Sequence, residues 1–188
     1  KSFMPIDKQI ASEIKDKIDQ ADTILLSFHR GPDGDSISSN LALKKYLEQA
    51  GKQVKLVTPT QVPENFDYLP SLDEAEHTVI TDLDLNDFDL LILLDSASWR
   101  MVSPEFENKE ASFPDKEKVI NIDHHQTNKQ MGQINLVAPA FGSTAEILYQ
   151  LFNLWRVEID KKIAQLLLVG IVTDTGVFRY TNTRPRTM

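Results

Sequence analysis

Four places in this chain set side chains that bind metals or move protons within reach of one another. His29, Asp33 and Asp35 fall in the run Phe28-His29-Arg30-Gly31-Pro32-Asp33-Gly34-Asp35-Ser36. Pro32 and the two glycines shape a loop in which one imidazole and two carboxylates can converge. Asp95 follows five apolar residues, Asp123-His124-His125 follows another short apolar stretch, and Asp174 follows the long apolar stretch 163–172. Each has a plainer reading by itself, as an Asp-rich turn with Ser36 starting a helix, a strand-end turn or a solvated polar turn. A buried unpaired carboxylate is costly, so Asp95 and Asp174 need partners. Together, Asp33, Asp35, Asp95 and Asp174 with His29 and His124 are six oxygen and nitrogen donors without sulfur. That set suits two divalent ions, and its mixture of carboxylate and imidazole favours manganese over calcium or a purely oxygen-bound magnesium, with zinc, cobalt and iron chemically open. Ions paired at roughly 3.5–4 Å would activate a water and clamp the attacking and leaving oxygens of an in-line displacement at phosphorus. The chemistry implied is phosphoester hydrolysis.

These residues need a scaffold that gathers them, and the hydrophobic pattern supplies one. Short apolar strands alternate with helical patterns, which predicts an α/β fold with a mostly parallel sheet flanked by helices on both faces. Ile6, Ile10, Ile14 and Ile18 mark one face of an opening helix after Pro5. Thr23 to Phe28 reads as a buried strand, Ser36 to Ala50 as a helix stopped by Gly51, and Val54 to Val57 as a second strand. Residues Thr58 to Ser71 form a Pro-punctuated loop. Leu90 to Leu94 lacks alternation and predicts a central strand buried on both faces, and Lys118 to Ile122 predicts another. Ser103 to Asp115 reads as a surface connection, and Gln133 to Val137 as a further strand. Ser143 is a fitting N-cap for a helix from Thr144 to Trp155, with Glu146 at capping-box spacing. A last helix begins at Asp160, is apolar almost all round from Ile163 to Val172, and stops at Thr175-Gly176. Such a helix is expected to be buried and to carry Asp174 into the middle of the protein. Three strands thus end in acidic or imidazole side chains on one sheet edge, where open α/β sheets bind ligands.

Composition narrows the function classes. With no cysteine among 188 residues, disulfide scaffolds and thiolate metal sites are excluded. The longest apolar run, Leu166 to Val172, has seven residues, against the roughly 18–20 needed to span a bilayer. Lys1 to Ser12 lack the apolar core of a signal peptide, so a soluble, cytoplasmic protein without membrane partners is expected. A net charge of −8 argues against coating duplex DNA, which needs many Lys and Arg contacts to phosphate.

The motifs resemble those of the DHH phosphoesterase superfamily, which includes RecJ-like enzymes. HRGPDGDS at 29–36, LLDSAS at 93–98, DHH at 123–125 and GIVTDTGVF at 170–178 match its four N-terminal motifs in order and spacing over nearly the whole chain. The resemblance implies that His29, Asp33 and Asp95 bind one Mn2+ and that Asp35, Asp95, His124 and Asp174 bind the other, Asp95 bridging. Mg2+ or Co2+ would be alternatives. It further implies that His125 contacts the scissile phosphate and aids the leaving oxygen, while Asp123 orients the histidines. Arg100 could reach a substrate phosphate or be a surface charge. Ser143 and Thr144 place a helix N-terminus near the site, where an anion could sit, although an ordinary cap is the simpler reading. Trp99, Phe152 and Trp155 read as core or interface side chains.

The run 174–183 looks most like the branch that degrades very short RNA and dephosphorylates 3′-phosphoadenosine 5′-phosphate (pAp). Substrates would then be short single-stranded RNA or a nucleotide phosphate, with a homodimer left open. The alternatives are a cyclic-dinucleotide phosphodiesterase, a manganese pyrophosphatase, a RecJ-like single-strand exonuclease and, outside the enzymes, a receiver-like α/β module that binds metal. A receiver would not require His29, His124 and His125. Residues 1–183 are expected to form the DHH catalytic domain and 184–188 to begin a linker. The resemblance implies a second, DHH-associated domain that is expected to lie outside this chain, and the piece alone is expected to be weakly active or inactive.

Overall fold

The computed structural model of the protein describes residues 6–108 and 112–188. Six strands form one all-parallel sheet: β1 (Thr23–Ser27), β2 (Gln53–Thr58), β3 (Glu76–His77), β4 (Leu90–Leu94), β5 (Val119–Asp123) and β6 (Ile134–Val137), in the order β3-β2-β1-β4-β5-β6. From β1 the chain moves outward through β2 to β3, then returns to the other side of β1 with β4. The loops leaving β1 and β4 therefore part, and a crevice opens between them at the carboxyl edge. The two-residue β3 was not foreseen from the sequence, because it is held by pairing to Val57 and Thr58 and not by an apolar run.

Both faces of the sheet are buried, as its continuous apolar strands require. Ile24, Leu26, Ile92, Leu94, Ile120 and Ile122 point to one face. There they meet the helices α1 (Lys8–Gln20), α2 (Gly34–Gln49), α4 (Thr144–Leu154) and α5 (Lys161–Asp174) in the larger core. Leu25, Leu91, Leu93 and Val119 point to the other face, which is covered by the short α3 (Trp99–Val102), by single 3-10 turns and by Phe106. The expected parallel sheet with helices is borne out, with the long helices all on one side. The connection 103–115 differs from the surface segment expected. Phe106 is buried and its ring lies tilted against that of Trp99, centroids 4.9 Å apart, which anchors the connection to the second core. Its positions 109–111, like 1–5 with Pro5, lie outside the described residues.

Which helix is buried also differs. α2 is enclosed over nearly its whole length, whereas α5 buries only Ile163, Leu166, Leu167 and Gly170, and Leu168 is 56% exposed. The reason is size. Small residues, Gly34 and Ser38 on α2 and Gly170 on α5, let α5 lie closely over α2 as an outer layer. A Cβ on Gly34 would fall 2.4 Å from Thr173 Oγ1, and one on Gly170 would fall 2.6 Å from Ala145 Cβ. Among the described residues, no helix is long and apolar enough to cross a membrane.

Candidate metal centre

The crevice beside β1 and β4 collects the predicted donors. His29 lies two residues beyond β1, Asp95 directly follows β4, and Asp123 is the last residue of β5. Asp33, not Ser36, caps α2: its Oδ1 accepts from the backbone N–H groups of Asp35 (3.1 Å) and Ser36 (3.0 Å). Asp35 thereby sits in the first turn of α2, and α5 brings Asp174 at its end. Asp174 arrives at the rim of the crevice and not in the middle of the protein, because α5 is an outer layer. Its side chain is 27% exposed where that of Asp35 is fully buried.

Two groups of donors meet at Asp95. His29 Nε2 lies 3.6 Å from Asp95 Oδ2 and 3.8 Å from Asp33 Oδ1. His124 Nε2 lies 3.5 Å from Asp95 Oδ1, 3.3 Å from Asp174 Oδ2 and 3.9 Å from Asp35 Oδ2. His29, Asp33 and Asp95 have ligand atoms close enough to share one ion, and so do Asp35, His124 and Asp174. The His29 Nδ1 is engaged 3.1 Å from the Arg30 carbonyl oxygen, which leaves Nε2 as the nitrogen that faces the carboxylates and would give its lone pair to a cation on losing its proton. The donor set, all carboxylate and imidazole with Asp35 and Asp95 buried, fits divalent cations.

Electrostatics agree. Burial and the facing carboxylates of Asp95 and Asp174 push Asp35 well above the usual carboxylate range, against the pull of two helix amides. Burial raises Asp174 to about 6, opposed by His124 and helped by Asp95 and Asp33. Burial opposes charge on His29, yet Asp33 and Asp95 outweigh it and raise the imidazole to about 10. The raised His29 and Asp35 favour protons in the metal-free crevice that a cation would displace.

His125 lies beside Asp95 and His124, its Nδ1 3.7 Å from Asp95 Oδ1, yet has a nearer partner. Its Nδ1 is 2.7 Å from Asp123 Oδ1, and Asp123 raises the imidazole to about 9. Asp123 therefore orients His125. Its other oxygen accepts from Asn128 Nδ2 at 2.6 Å, and Asn128 also donates to Asn121 Oδ1 at 2.8 Å. The His125 side chain is 38% exposed against 13% for His124, so it is the imidazole open to a ligand in the crevice.

The residues expected to touch substrate have other partners. Arg100 is exposed and pairs with Glu107 at 3.3 Å, which is the surface-charge reading. Ser143 Oγ accepts from Glu146 N–H at 3.0 Å as an N-cap, with Ser143 and Thr144 both fully buried. The amides that would greet an anion are used internally: Thr144 N–H donates to Asp35 Oδ2 at 2.6 Å and Ala145 N–H to Asp35 Oδ1 at 2.9 Å. The negative group at this helix N-terminus is thus Asp35. Sequence reasoning missed Asn128 and Asn121. The only signal for them was two asparagines flanking DHH. The tail beyond α5 folds back, with Arg186 Nε 2.8 Å from Glu146 Oε1 and Asn182 Nδ2 donating to the Asp174 and Gly142 carbonyls.

The fold is a parallel α/β sheet whose switch point gathers carboxylates and imidazoles close enough to hold a cation. More narrowly, the chain belongs to the DHH family, since residues 23–171 match the model described as DHH family, N-terminal domain. The oligoribonuclease and PAP phosphatase NrnA of Thermus thermophilus is 35% identical over 165 residues, covering 88% of this chain and 47% of that protein. A probable manganese-dependent inorganic pyrophosphatase of Streptococcus thermophilus is 28% identical over 152 residues, covering 78% and 46%. The crystal structure of an exopolyphosphatase-related protein from Bacteroides fragilis superposes with a TM-score of 0.82 at 25% identity, covering 98% of this chain and 55% of that one. The chain spans about half the length of the relatives it matches. Family membership sets aside the receiver-like alternative.

Proposed function

We propose that this chain is the metal-binding half of a manganese-dependent phosphoesterase acting on short oligoribonucleotides and pAp. The observation that carries the proposal is the orientation of Asp95, whose two oxygens face different imidazoles, Oδ2 toward His29 and Oδ1 toward His124. In this reading His29, Asp33 and Asp95 hold one ion, Asp35, Asp95, His124 and Asp174 hold the second, and Asp95 serves both. Divalent ions, when bound there, would supply a nucleophile from water at neutral pH and offset charge on the phosphoryl oxygens. The protein's own groups do the rest. Asp123 fixes the His125 ring through Nδ1 and keeps it protonated, which leaves Nε2–H to meet a phosphate oxygen or hand a proton to the leaving alkoxide. Asp33 and Asp35 stay in place because helix amides grip them from α2 and α4.

Similarity to the NrnA protein favours the nucleotide substrates, and similarity to the pyrophosphatase makes pyrophosphate the competing one. The test is Mn2+ titration of the chain followed by hydrolysis of pAp and pyrophosphate, read as phosphate release, and of a 5′-phosphorylated diribonucleotide, read as release of mononucleotides. Two ions bound per chain and preference for the nucleotides are expected. Preference for pyrophosphate would move the protein to the other branch, and failure to bind a second ion would overturn the two-ion reading.

A further inference from the structure

Thr144 touches both halves of the carboxylate cluster. Its backbone N–H donates to Asp35 Oδ2 at 2.6 Å and its hydroxyl donates to Asp95 Oδ1 at 3.0 Å. Asp35 comes from the start of α2 and Asp95 from the loop after β4, so this one residue of α4 joins two elements that approach the crevice separately. A carboxylate only accepts, so the proton in the second contact belongs to the threonine. Thr144 is completely buried, and no solvent can replace that donor.

The contact is directional. Asp95 Oδ1 is the oxygen facing His124 Nε2 (3.5 Å) and His125 Nδ1 (3.7 Å), while Oδ2 faces His29. The terminal torsion of an aspartate is soft, so something must hold the carboxylate plane. The backbone holds the residue itself, in a left-handed conformation at φ 54° with its N–H on the Ile122 carbonyl oxygen at 3.1 Å. The hydroxyl of Thr144 is the neutral donor that fixes the plane of this carboxylate.

We infer that Thr144 is a positioning residue that sets the bridging orientation of Asp95 and, by gripping Asp35 through the same residue, couples the two ion sites. The inference rests on the two-ion reading above. α4 is accordingly part of the metal centre although it contributes no ligand. The segment carrying Thr144 is itself braced: Glu146 Oε2 accepts from Gly142 N–H at 2.8 Å and from Thr187 Oγ1 at 3.0 Å, and Arg186 lies 4.4 Å over the Phe141 ring.

Thr144→Val keeps the shape and the amide to Asp35 but removes the hydroxyl, and Thr144→Ser restores the hydroxyl. Each chain is titrated with Mn2+ alone, and the ions are followed by calorimetry and by the exchange-coupled electron paramagnetic resonance signal of an ion pair. Circular dichroism of the metal-free chains shows whether each is folded. Two coupled ions in the unsubstituted chain are the precondition, and their absence would count against the two-ion reading, not against Thr144. Given that pair, Thr144→Val is expected to weaken the second ion about 10–100-fold and to lose the coupled signal, with Thr144→Ser close to the unsubstituted chain. A folded Thr144→Val with full affinity and an unchanged coupled signal would overturn the inference. Should Thr144→Val not fold, Thr144→Ala takes its place against the same serine control. A serine variant that binds as poorly as the alanine one would also overturn it, since only the methyl would then matter.

Discussion

His124 and His125 are neighbours in sequence with opposite surroundings, and the difference assigns them different work. His124 faces three carboxylates with its Nε2, whereas His125 turns Nδ1 onto Asp123 and keeps one edge open. His125→Ala is therefore expected to retain both ions while losing turnover by about 10²–10⁴-fold. Asp95→Ala is expected to lose the coupling between ions together with turnover, and equal ion loss in both variants would show that the roles are wrongly divided. Asn128 is a subtler test because it touches no proposed ligand. It donates to Asp123 Oδ2, and Asn128→Ala is expected to slow turnover about 10–100-fold with ion stoichiometry unchanged. An Asn128→Ala chain with unaltered turnover would remove the relay from the account. At this scale the sequence was a good guide to which side chains gather in the crevice, because carboxylates and imidazoles at the ends of apolar runs stand out by type. Thr144 and Asn128 do not stand out. Their contacts reach Asp95 and Asp123 across turns and between elements, and a threonine one residue past a serine cap looks like any helix start.

Strands announced themselves through unbroken apolar runs, and β1, β4 and β5 lie close to where those runs place them. The helices were located about as well but layered wrongly. α5 has the apolar composition of an enclosed helix, yet α2, with Ser36, Ser38, Ser39 and Asn40, is the enclosed one. Burial depends on what a helix is packed against, and small residues that permit close approach are not apolar signals. Gly170 makes the point. A Cβ there would lie 2.9 Å from Asp35 Oδ1 as well as against Ala145, so the α5 contact ends at the metal centre. Gly170→Ala is expected to cost about 1–3 kcal/mol of stability in chemical denaturation and to weaken Mn2+ binding. A substitution without effect on either would mean that α5 does not press on Asp35. Likewise 103–115 looked like mere connection because its prolines and charges outnumber Phe106, whose burial depends on Trp99 beside it.

For the whole molecule, the metal-free charge pattern predicts how stability varies with pH. The folded state holds His29 at about 10 and His125 at about 9, both above 6.5. A raised group stabilises fully below its unfolded value and loses that contribution as pH climbs through its folded value. The Asp174 contribution, with a folded value of about 6 against 3.8, is lost lower down, as pH rises through about 6. The metal-free melting temperature is therefore expected to fall between pH 6.5 and 9, while the increment produced by Mn2+ grows over the same range as protons leave the site. A metal-free melting temperature that is flat or rising there would contradict the arrangement of His29 and His125. The net charge of −8 is thus concentrated in part where cations would offset it.

Everything in this account turns on Asp95 serving two ions at once. The most direct measurement is the Mn2+ stoichiometry and exchange coupling of the unsubstituted chain beside Asp95→Ala, by calorimetry and electron paramagnetic resonance. Two coupled ions in the first and no coupled pair in the second are the expected result. A single uncoupled ion in the unsubstituted chain, or a coupled pair that survives Asp95→Ala, would contradict it.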